Sequence, residues 1–385
     1  MASTATTFVP FSPSNVGPDE IEEVVATLES GWLTTGPRVR RFEAEFAAYT
    51  GAPHAVAVNS CTAALHLSLL AAGVGQGHEV VTTPLTFCAT ANVIVHTGAT
   101  PVFADIDPST WNLDPAAAAA RVTRATRVLL PVDYAGLPAD LEAFERLARR
   151  DGLTLIEDAA HCVEGMVNAR KVGSIADFTC FSFYATKNLT TGEGGMVTAR
   201  DEAAAAFIRT ASLHGMSRDA WARYAPGGSP HYDVAMPGFK YNMMDLQAAI
   251  GLRQLARIGA MHARREAIAA RYDEGLADLP LFRPAPPPSG TVHARHLYPV
   301  LVDVSSCGVS RDDLQKRLRD AGVDTSIHFR AVHLHSYYRD RFGLRRGMFP
   351  QAEAVSDSTL SLPLSPAMPD ADVERVIEAL HDCLR

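Results

Sequence analysis

The feature that most restricts the fold is a repeated alternation of short apolar runs with helix-like stretches between residues 55 and 199. Runs such as AVAVN (55–59) and EVVTTP (79–84) have the length and composition of strands, and helix-like stretches follow them. Consecutive parallel strands need a crossover connection, which is usually a helix. The alternation therefore predicts an α/β fold with a mostly parallel central sheet flanked by helices.

The second half of the chain predicts a smaller lobe. Residues 245–271 have the pattern of one long helix that can bridge two lobes, and a Gly- and Pro-rich loop at 225–238 precedes it. The segments beyond it are shorter and predict a strand over 295–304 and helices over 311–321 and 370–384. We therefore expect a large domain over 1–250 and a smaller α+β C-terminal domain over 251–385, with the N-terminal segment able to pack on the small lobe.

Composition excludes several classes of protein. The 385 residues carry a net charge of −8, which gives no electrostatic footprint for nucleic acid or an anionic membrane. No apolar run approaches the roughly 20 residues that span a bilayer, and MASTATTFVPFSPSN lacks the features of a signal peptide. The six cysteines are scattered without a CxxC pair, and the 14 histidines include no HExxH. We expect a cytoplasmic protein with free thiols, no metal site, and no nucleic-acid or membrane partner.

Two residues at strand ends can carry chemistry, because sheets of this kind bind ligands at the carboxyl ends of their strands. Asp158 ends an apolar run, and a buried carboxylate needs a partner. The protonated ring nitrogen of pyridoxal 5'-phosphate (PLP) is one such partner, and a backbone group or an arginine is the ordinary alternative. Lys187 follows FSFYAT and precedes a Gly-rich turn, so it is either a desolvated amine that forms a Schiff base or an exposed surface lysine. Glu157 is expected on the opposite face of its strand.

Other residues near strand ends allow two interpretations each. Ser60 and Thr62 open a helix whose first N–H groups can bind a phosphate, although an N-cap is the commoner role. Phe87 can stack on an aromatic cofactor or pack in the core. His161 can reach the edge of a cofactor or open a helix, and the hydroxyl of Ser182 can bind phosphate or fill its strand.

The motifs occur in a recognisable order: SGWLTTGP, VNSCTAALHL, TTPLTFCATAN, GATPVFADID, PVDYAGLPAD, LIEDAAH, FSFYATKN, TTGEGG, GFKYNMMDLQAAIGLRQL, HLYPVLVD, IHFRAVH and LSLPLSP. Over almost the whole chain they resemble the DegT-type sugar-nucleotide aminotransferases, which are fold-type-I PLP enzymes. GFKYN and HFRA are similar to the subgroup that makes UDP-4-amino-4-deoxy-L-arabinose. Cys61, where the family commonly has Gly or Ala, and Phe87, where that subgroup tends to have Trp, depart from the pattern.

The resemblance implies a role for each matching residue. Lys187 would hold PLP covalently and then move protons, Asp158 would pair with the ring nitrogen, Phe87 would stack on the ring and His161 would lie near the ring hydroxyl. The implied phosphate contacts are Ser60, Cys61, Thr62 and Ser182, together with Asn242 of the neighbouring subunit in a homodimer that shares its active sites. The residues implied near the substrate are Thr34, Tyr134, Lys240, His328 and Phe329.

The implied activity is transfer of an amino group from an amino acid, L-glutamate in most of the family, to a keto-sugar nucleotide, most commonly a 4-keto sugar. Two alternatives remain open from the residues. Relatives with the same fold aminate a keto-cyclitol or another small ketone, and a PLP-type fold can also persist as a non-catalytic sensor or scaffold. The presence of Asp158, Lys187 and Asn242 argues against the non-catalytic alternative.

Overall fold

The computed structural model describes residues 8–216, 233–283 and 285–384. The first seven residues of the N-terminal segment and residues 225–232 of the Gly- and Pro-rich loop lie outside this range. The helices are α1 (Pro18–Glu29), α2 (Pro37–Thr50), α3 (Cys61–Ala71), α4 (Cys88–His96), α5 (Pro115–Ala119), α6 (Leu141–Asp151), α7 (Glu202–Ala211), α8 (Asp245–Ala256), α9 (Ile258–Gly275), α10 (Val304–Cys307), α11 (Arg311–Asp320), α12 (Ser336–Phe342), α13 (Pro350–Ser358) and α14 (Asp370–Leu384). The strands are β1 (His54–Val58), β2 (Glu79–Thr82), β3 (Thr100–Phe103), β4 (Thr126–Leu130), β5 (Thr154–Asp158), β6 (Met166–Val167), β7 (Arg170–Lys171), β8 (Phe178–Ser182), β9 (Gly195–Ala199), β10 (Leu281–Phe282), β11 (Thr291–Val292), β12 (Tyr298–Val302) and β13 (Thr359–Leu362).

The central sheet has seven strands in the order β1-β9-β8-β5-β4-β2-β3. Neighbours from β3 to β8 pair in parallel, and only β9 runs antiparallel to both of its neighbours. Successive residues of β4 alternate between two apolar clusters, since Leu129 packs in one and Val128 and Leu130 pack in the other. The sheet is therefore buried on both faces, and the predicted α/β class with a mostly parallel sheet is confirmed.

The antiparallel direction of β9 follows from the connection before it. Residues 183–194 join β8 to β9 without a helix, and the backbone N–H of Phe183 donates a hydrogen bond to the carbonyl of Gly194 at 2.9 Å. A connection without a crossover element returns the chain antiparallel to the strand that it left. This returning loop, which lies at the carboxyl end of β8, carries Lys187.

The prediction of one long helix over 245–271 is wrong. The segment forms α8 and α9, and Arg257 between them has φ −113° and ψ 9°, outside the helical region. Two side chains at the break bind the N-terminal segment: Gln254 donates to the carbonyl of Asn15 at 2.8 Å, and Arg257 Nε donates to Glu20 Oε1 at 2.7 Å. These tertiary contacts coincide with the interruption of a sequence whose local propensity is helical throughout.

A second, three-stranded sheet lies in the C-terminal part of the chain, in the order β10-β12-β13 with antiparallel pairing. It has an apolar cluster of its own, in which Val300 and Leu360 of the sheet pack with Leu380 of α14. The predicted strand at 295–304 is shorter than expected, and the predicted helices at 311–321 and 370–384 are α11 and α14. No helix among the described residues is long and apolar enough to cross a membrane. The domain boundary at residue 250 stays a prediction.

Candidate active site

The carboxyl ends of the parallel strands open into a cavity of about 510 Å³. Most of the residues singled out from the sequence line it, although they are distant in the chain. These residues are Ser60, Cys61, Thr62, Phe87, Asp158, His161, Ser182, Lys187, His328 and Phe329. The sequence therefore identified many of the residues that line this one cavity. The roles of these residues toward a cofactor or substrate remain predictions.

Four predicted residues do not line this cavity. Tyr134 is buried, and its hydroxyl donates a hydrogen bond to the carbonyl of His328, which lines the cavity; its predicted contact with a substrate stays a prediction. Lys240 Nζ donates to Asn242 Oδ1 at 2.5 Å, and Asn242 Nδ2 donates to Thr35 Oγ1 at 2.7 Å. Thr34 and Lys240 are exposed and Asn242 is half-buried, and none of the three lines the cavity of its own chain.

Asp158 ends β5 and its side chain is almost fully buried in the cavity wall. Its oxygens accept hydrogen bonds from Thr90 Oγ1 at 2.8 Å and from the backbone N–H of Ala160 at 3.2 Å. Burial raises the pKa of this carboxyl above its usual range, against the lowering effect of these donors and of Lys187. A buried carboxylate with mainly neutral donors is suited to pair with a cation in the cavity.

Glu157 points to the other side of the sheet, as its position in the strand predicts. It is fully buried and accepts a hydrogen bond from Thr179 Oγ1 at 2.7 Å. Burial raises the pKa of Glu157 to about 7. The two adjacent acids therefore face different environments and do not form a catalytic pair.

Lys187 lies in the loop between β8 and β9, with its side chain half-buried at the cavity wall. Its Nζ is 3.5 Å from Nε2 of His296. Removal from water lowers the pKa of Lys187 to about 8, because burial disfavours the ammonium form more than the nearby Cys61 and Asp158 favour it. The amine is thus accessible in its neutral form near neutral pH, which a Schiff-base lysine requires.

The start of α3 forms another wall of the cavity. Ser60 is its N-cap and its hydroxyl oxygen accepts from the N–H of Ala63 at 3.1 Å, so the capping interpretation of Ser60 is confirmed. The next N–H groups, of Cys61 and Thr62, belong to the first turn and have no acceptor within the helix. A Cβ at Gly195 would lie 2.5 Å from the carbonyl carbon of Ser60, so only glycine lets β9 approach this turn.

Three aromatic side chains that line the cavity suit a planar ligand. Phe87 is 60% exposed although it is a large apolar residue, and its ring centroid is 6.1 Å from that of Phe329. His161 is buried, its ring stacks on Phe329 at 5.9 Å, and its Nδ1 has no hydrogen-bond partner among the described residues. Burial lowers the pKa of His161 well below its usual value, so this ring is neutral. An uncovered aromatic face and an unpaired ring nitrogen are both features that a bound ligand would complete.

The residues present fit PLP. The cavity offers a buried acid for the ring nitrogen at Asp158, an accessible amine at Lys187, a helix N-terminus for the phosphate at Cys61 and an uncovered aromatic face at Phe87. Among the described residues no group of three or more His, Cys, Asp or Glu side chains is placed to hold a metal ion.

Sequence reasoning missed two contacts of the site. Thr90 holds Asp158 and is itself held by Thr86 at 2.8 Å, and the spacing of four residues within TTPLTFCATAN is the signal that could have paired them. His296 contacts Lys187 from 109 positions further along the chain, and no local pattern in HLYPVLVD points to that contact.

This fold and site define the class: the chain is a fold-type-I PLP-dependent transferase. Two solved structures share its fold closely. Spr1654 of Streptococcus pneumoniae, a putative sugar aminotransferase in its PMP form, has a TM-score of 0.90 and 34% identity over 98% of this chain and 97% of its own. DesV of S. venezuelae, solved in complex with a ketimine intermediate, has a TM-score of 0.90 and 34% identity over 98% and 99%.

The family follows from the sequence match. The sequence profile of the DegT/DnrJ/EryC1/StrS aminotransferase family matches residues 15–381, and the chain belongs to this family. The spore coat polysaccharide biosynthesis protein SpsC of Bacillus subtilis (strain 168) is 52% identical over 380 residues, which cover 98% of this chain and 97% of that protein. The chain is therefore a PLP-dependent sugar aminotransferase.

Proposed function

We propose that this aminotransferase moves an amino group from L-glutamate to the ketone of a nucleotide-linked keto sugar, with a 4-keto sugar as the acceptor. The observation that carries the proposal is the position of Lys187, an accessible amine with a lowered pKa in the same cavity as the buried acid Asp158. The names of the similar proteins support a sugar acceptor, because they include sugar aminotransferases and a polysaccharide biosynthesis protein.

The proton chemistry is assigned to Lys187. At a pKa of about 8, about one tenth of the amine is neutral at pH 7, whereas the ordinary value of 10.5 leaves about one in three thousand. Bound PLP supplies an electron sink that stabilises negative charge at the carbon bearing the amino group. Lys187 would take a proton from that carbon and deliver it to the cofactor carbon on the other side of the shared nitrogen, and Asp158 would hold the positive charge of the ring nitrogen.

The remaining cavity residues bind and orient. The N–H groups at the start of α3 and the hydroxyls of Thr62 and Ser182 would hold the phosphate, and their position in the cavity lining supports this role. Phe87 would cover one face of the PLP ring, and His161 would donate or accept a hydrogen bond at the edge of that ring. His328 and Phe329 would contact the sugar, and their position in the cavity lining with Phe87 supports this role.

We propose that the site is completed in a homodimer, with Asn242 of one subunit reaching the phosphate held by the other. Asn242 lies outside the cavity of its own chain. The outer face of α1 supports a second copy, because Ile21, Val25 and Leu28 follow helical spacing and are each between 46% and 59% exposed. Sedimentation of the purified protein tests this proposal, and a monomer with full activity would contradict it.

The domain bounds, the cellular location and the identity of the sugar are parts of the same proposal. We place the large domain at 1–250 and the small one at 251–385, supported by the separate C-terminal sheet and its own apolar cluster. We place the protein in the cytoplasm, supported by six cysteines that are all free. The resemblance to the arabinose subgroup remains a prediction about the sugar.

A panel of UDP-, dTDP- and GDP-linked 4-keto sugars, assayed for glutamate-dependent amination, tests the proposed function. A keto-cyclitol is the matched alternative acceptor, and Lys187→Ala is the control for the chemistry. We expect amination of at least one keto-sugar nucleotide and none by the variant. Amination of the cyclitol alone would replace the substrate assignment, and an unreactive protein that binds sugar nucleotide would support the sensor alternative.

A further inference from the structure

His296 is the one histidine whose ring nitrogen lies within hydrogen-bond distance of Lys187 among the described residues. Its side chain is 7% exposed, and its backbone N–H donates to the carbonyl of Ala135 at 3.1 Å, which fixes the residue between β11 and β12. Its Nε2 lies 3.5 Å from Nζ of Lys187. The direction of this hydrogen bond depends on which ring nitrogen carries the hydrogen.

The neighbouring Asn188 determines that direction. Its amide nitrogen donates two hydrogen bonds, to Glu164 Oε2 at 2.7 Å and to the carbonyl of Ala294 at 2.8 Å. Both partners are acceptors, so the amide cannot be reversed without placing its oxygen against two oxygens. The amide oxygen of Asn188 therefore faces Nδ1 of His296, at 3.0 Å.

This contact fixes the tautomer of His296. Nδ1 must carry the hydrogen, because it faces an oxygen that only accepts. Burial, with Lys187, His161, His328 and Arg265 nearby, lowers the pKa of His296 well below its usual value, so the ring carries a single hydrogen. Nε2 is left with its lone pair directed at Lys187, and the hydrogen bond runs from the lysine to the histidine.

A buried ion pair anchors the far end of this chain of contacts. Glu164, which accepts from Asn188, also accepts from Nη2 of Arg265, and both side chains are at most 5% exposed. A buried carboxylate with two fixed donors cannot rotate freely. Arg265, Glu164, Asn188 and His296 thus form one connected series that ends at Lys187.

We propose that His296 is a positioning residue for Lys187. Its Nε2 accepts a hydrogen bond from the amine of Lys187, and this bond turns the lone pair of the amine away from the imidazole ring of His296 and toward the cavity. The inference rests on the proposed role of Lys187 as the catalytic lysine. A neutral amine has one lone pair, and it can attack or take a proton only when that lone pair faces the reacting atom. The Arg265–Glu164–Asn188 series keeps His296 in the accepting tautomer.

The tautomer of His296 can be measured in the unchanged protein and then compared with that in one variant. Nitrogen NMR of the full-length chain labelled at histidine, with and without PLP, distinguishes a protonated from an unprotonated Nδ1. The expected result is a single hydrogen on Nδ1 of His296 across neutral pH. Asn188→Leu should give a mixture of tautomers. A hydrogen on Nε2, a doubly protonated ring, or an unchanged tautomer in Asn188→Leu would overturn the inference.

The effect on Lys187 is measured by its pH-dependent acetylation in the cofactor-free chain, read by mass spectrometry of its peptide. Groups facing this amine are Cys61, Asp158, His161, His296 and His328. The acceptor stabilises the ammonium form, so His296→Phe should lower the midpoint from near 8 by about one unit. His296→Gln, which can offer an amide oxygen, should restore most of it.

A matched control is His262→Phe, since His262 binds the carbonyl of His293 and makes no contact with Lys187. An unchanged midpoint in His296→Phe, or the same fall in His262→Phe, would overturn the proposal. In the aminotransferase assay His296→Phe should lower kcat about tenfold with KM nearly unchanged, and His262→Phe should change neither. These labelling results are read on the cofactor-free chain, so they can fail while the keto-sugar panel and the Lys187→Ala control still support the proposed function.

Discussion

Replacing Gly195 with alanine tests whether the N–H groups at the start of α3 bind the phosphate of PLP. Gly195 opens β9 and has no unusual backbone conformation, so the substitution acts through space alone. The new Cβ would lie 2.5 Å from the carbonyl carbon of Ser60 and 2.7 Å from the amide nitrogen of Cys61. Ordinary contact begins at 3.4 Å, so the strand and the helix must separate by about 0.9 Å.

That displacement has two measurable consequences. Overpacking of a buried contact costs about 1–3 kcal/mol of stability. A shift of nearly 1 Å in the amides of Cys61 and Thr62 removes about one hydrogen bond to a charged ligand, worth roughly 1.5–3 kcal/mol. The dissociation constant of PLP should therefore rise about 10- to 100-fold.

The assay is a titration of the cofactor-free protein with PLP, followed by visible absorption, together with thermal unfolding. Gly259→Ala is the matched control, because its Cβ meets nothing within 4 Å in helix α9. It should leave the affinity intact and should not lower the stability, because a helix favours alanine over glycine by roughly 0.5–1 kcal/mol. If Gly195→Ala bound PLP within twofold of the unchanged protein, the phosphate would not be held at this helix.

The remaining predictions concern single side chains. Asp158→Asn should lower the transfer rate roughly 100-fold, because the ring nitrogen loses its charged partner. Burial raises the pKa of Asp158, so ionisation of this carboxyl opposes folding of the cofactor-free protein. Asp158→Asn should therefore raise the thermal unfolding midpoint of that protein at pH 7. This gain in midpoint should shrink as the pH falls toward the ordinary pKa range of a carboxyl group. An equal gain at acid pH would contradict this reasoning. Phe87→Ala should weaken PLP binding about 3- to 10-fold in the same titration, by loss of stacking, and an unchanged affinity would remove Phe87 from the ring contact. Arg265→Leu should cost about 3–5 kcal/mol in denaturant unfolding, because it leaves Glu164 buried without its partner, and a cost below about 1 kcal/mol would show that the pair is solvated.

The sequence predicts the elements that local patterns control. The parallel strands follow from short apolar runs separated by helices, and the position of Asp158 at a strand end follows from the same pattern. Lys187 is placed at the cavity by the short return from β8 to β9, which the Gly-rich turn indicates. Roles toward the cofactor came from the resemblance and not from spacing.

Contacts between distant segments could not be predicted in this way. The break at Arg257 coincides with bonds from Gln254 and Arg257 to the N-terminal segment, and the local sequence there is helical. His296 reaches Lys187 only because the backbone near Ala135 holds it in place. The resemblance implies a substrate contact for Tyr134, yet in the structure its side chain is buried and its hydroxyl binds the carbonyl of His328, 194 positions further along the chain.

The central claim, that this chain transfers amino groups to keto-sugar nucleotides through Lys187, is tested most directly by the visible spectrum of the PLP-supplied protein. We expect an absorption band that bleaches when L-glutamate is added and returns when a keto-sugar nucleotide follows, and no such band in Lys187→Ala. A band that does not respond to glutamate, or that is unchanged in Lys187→Ala, would contradict the account.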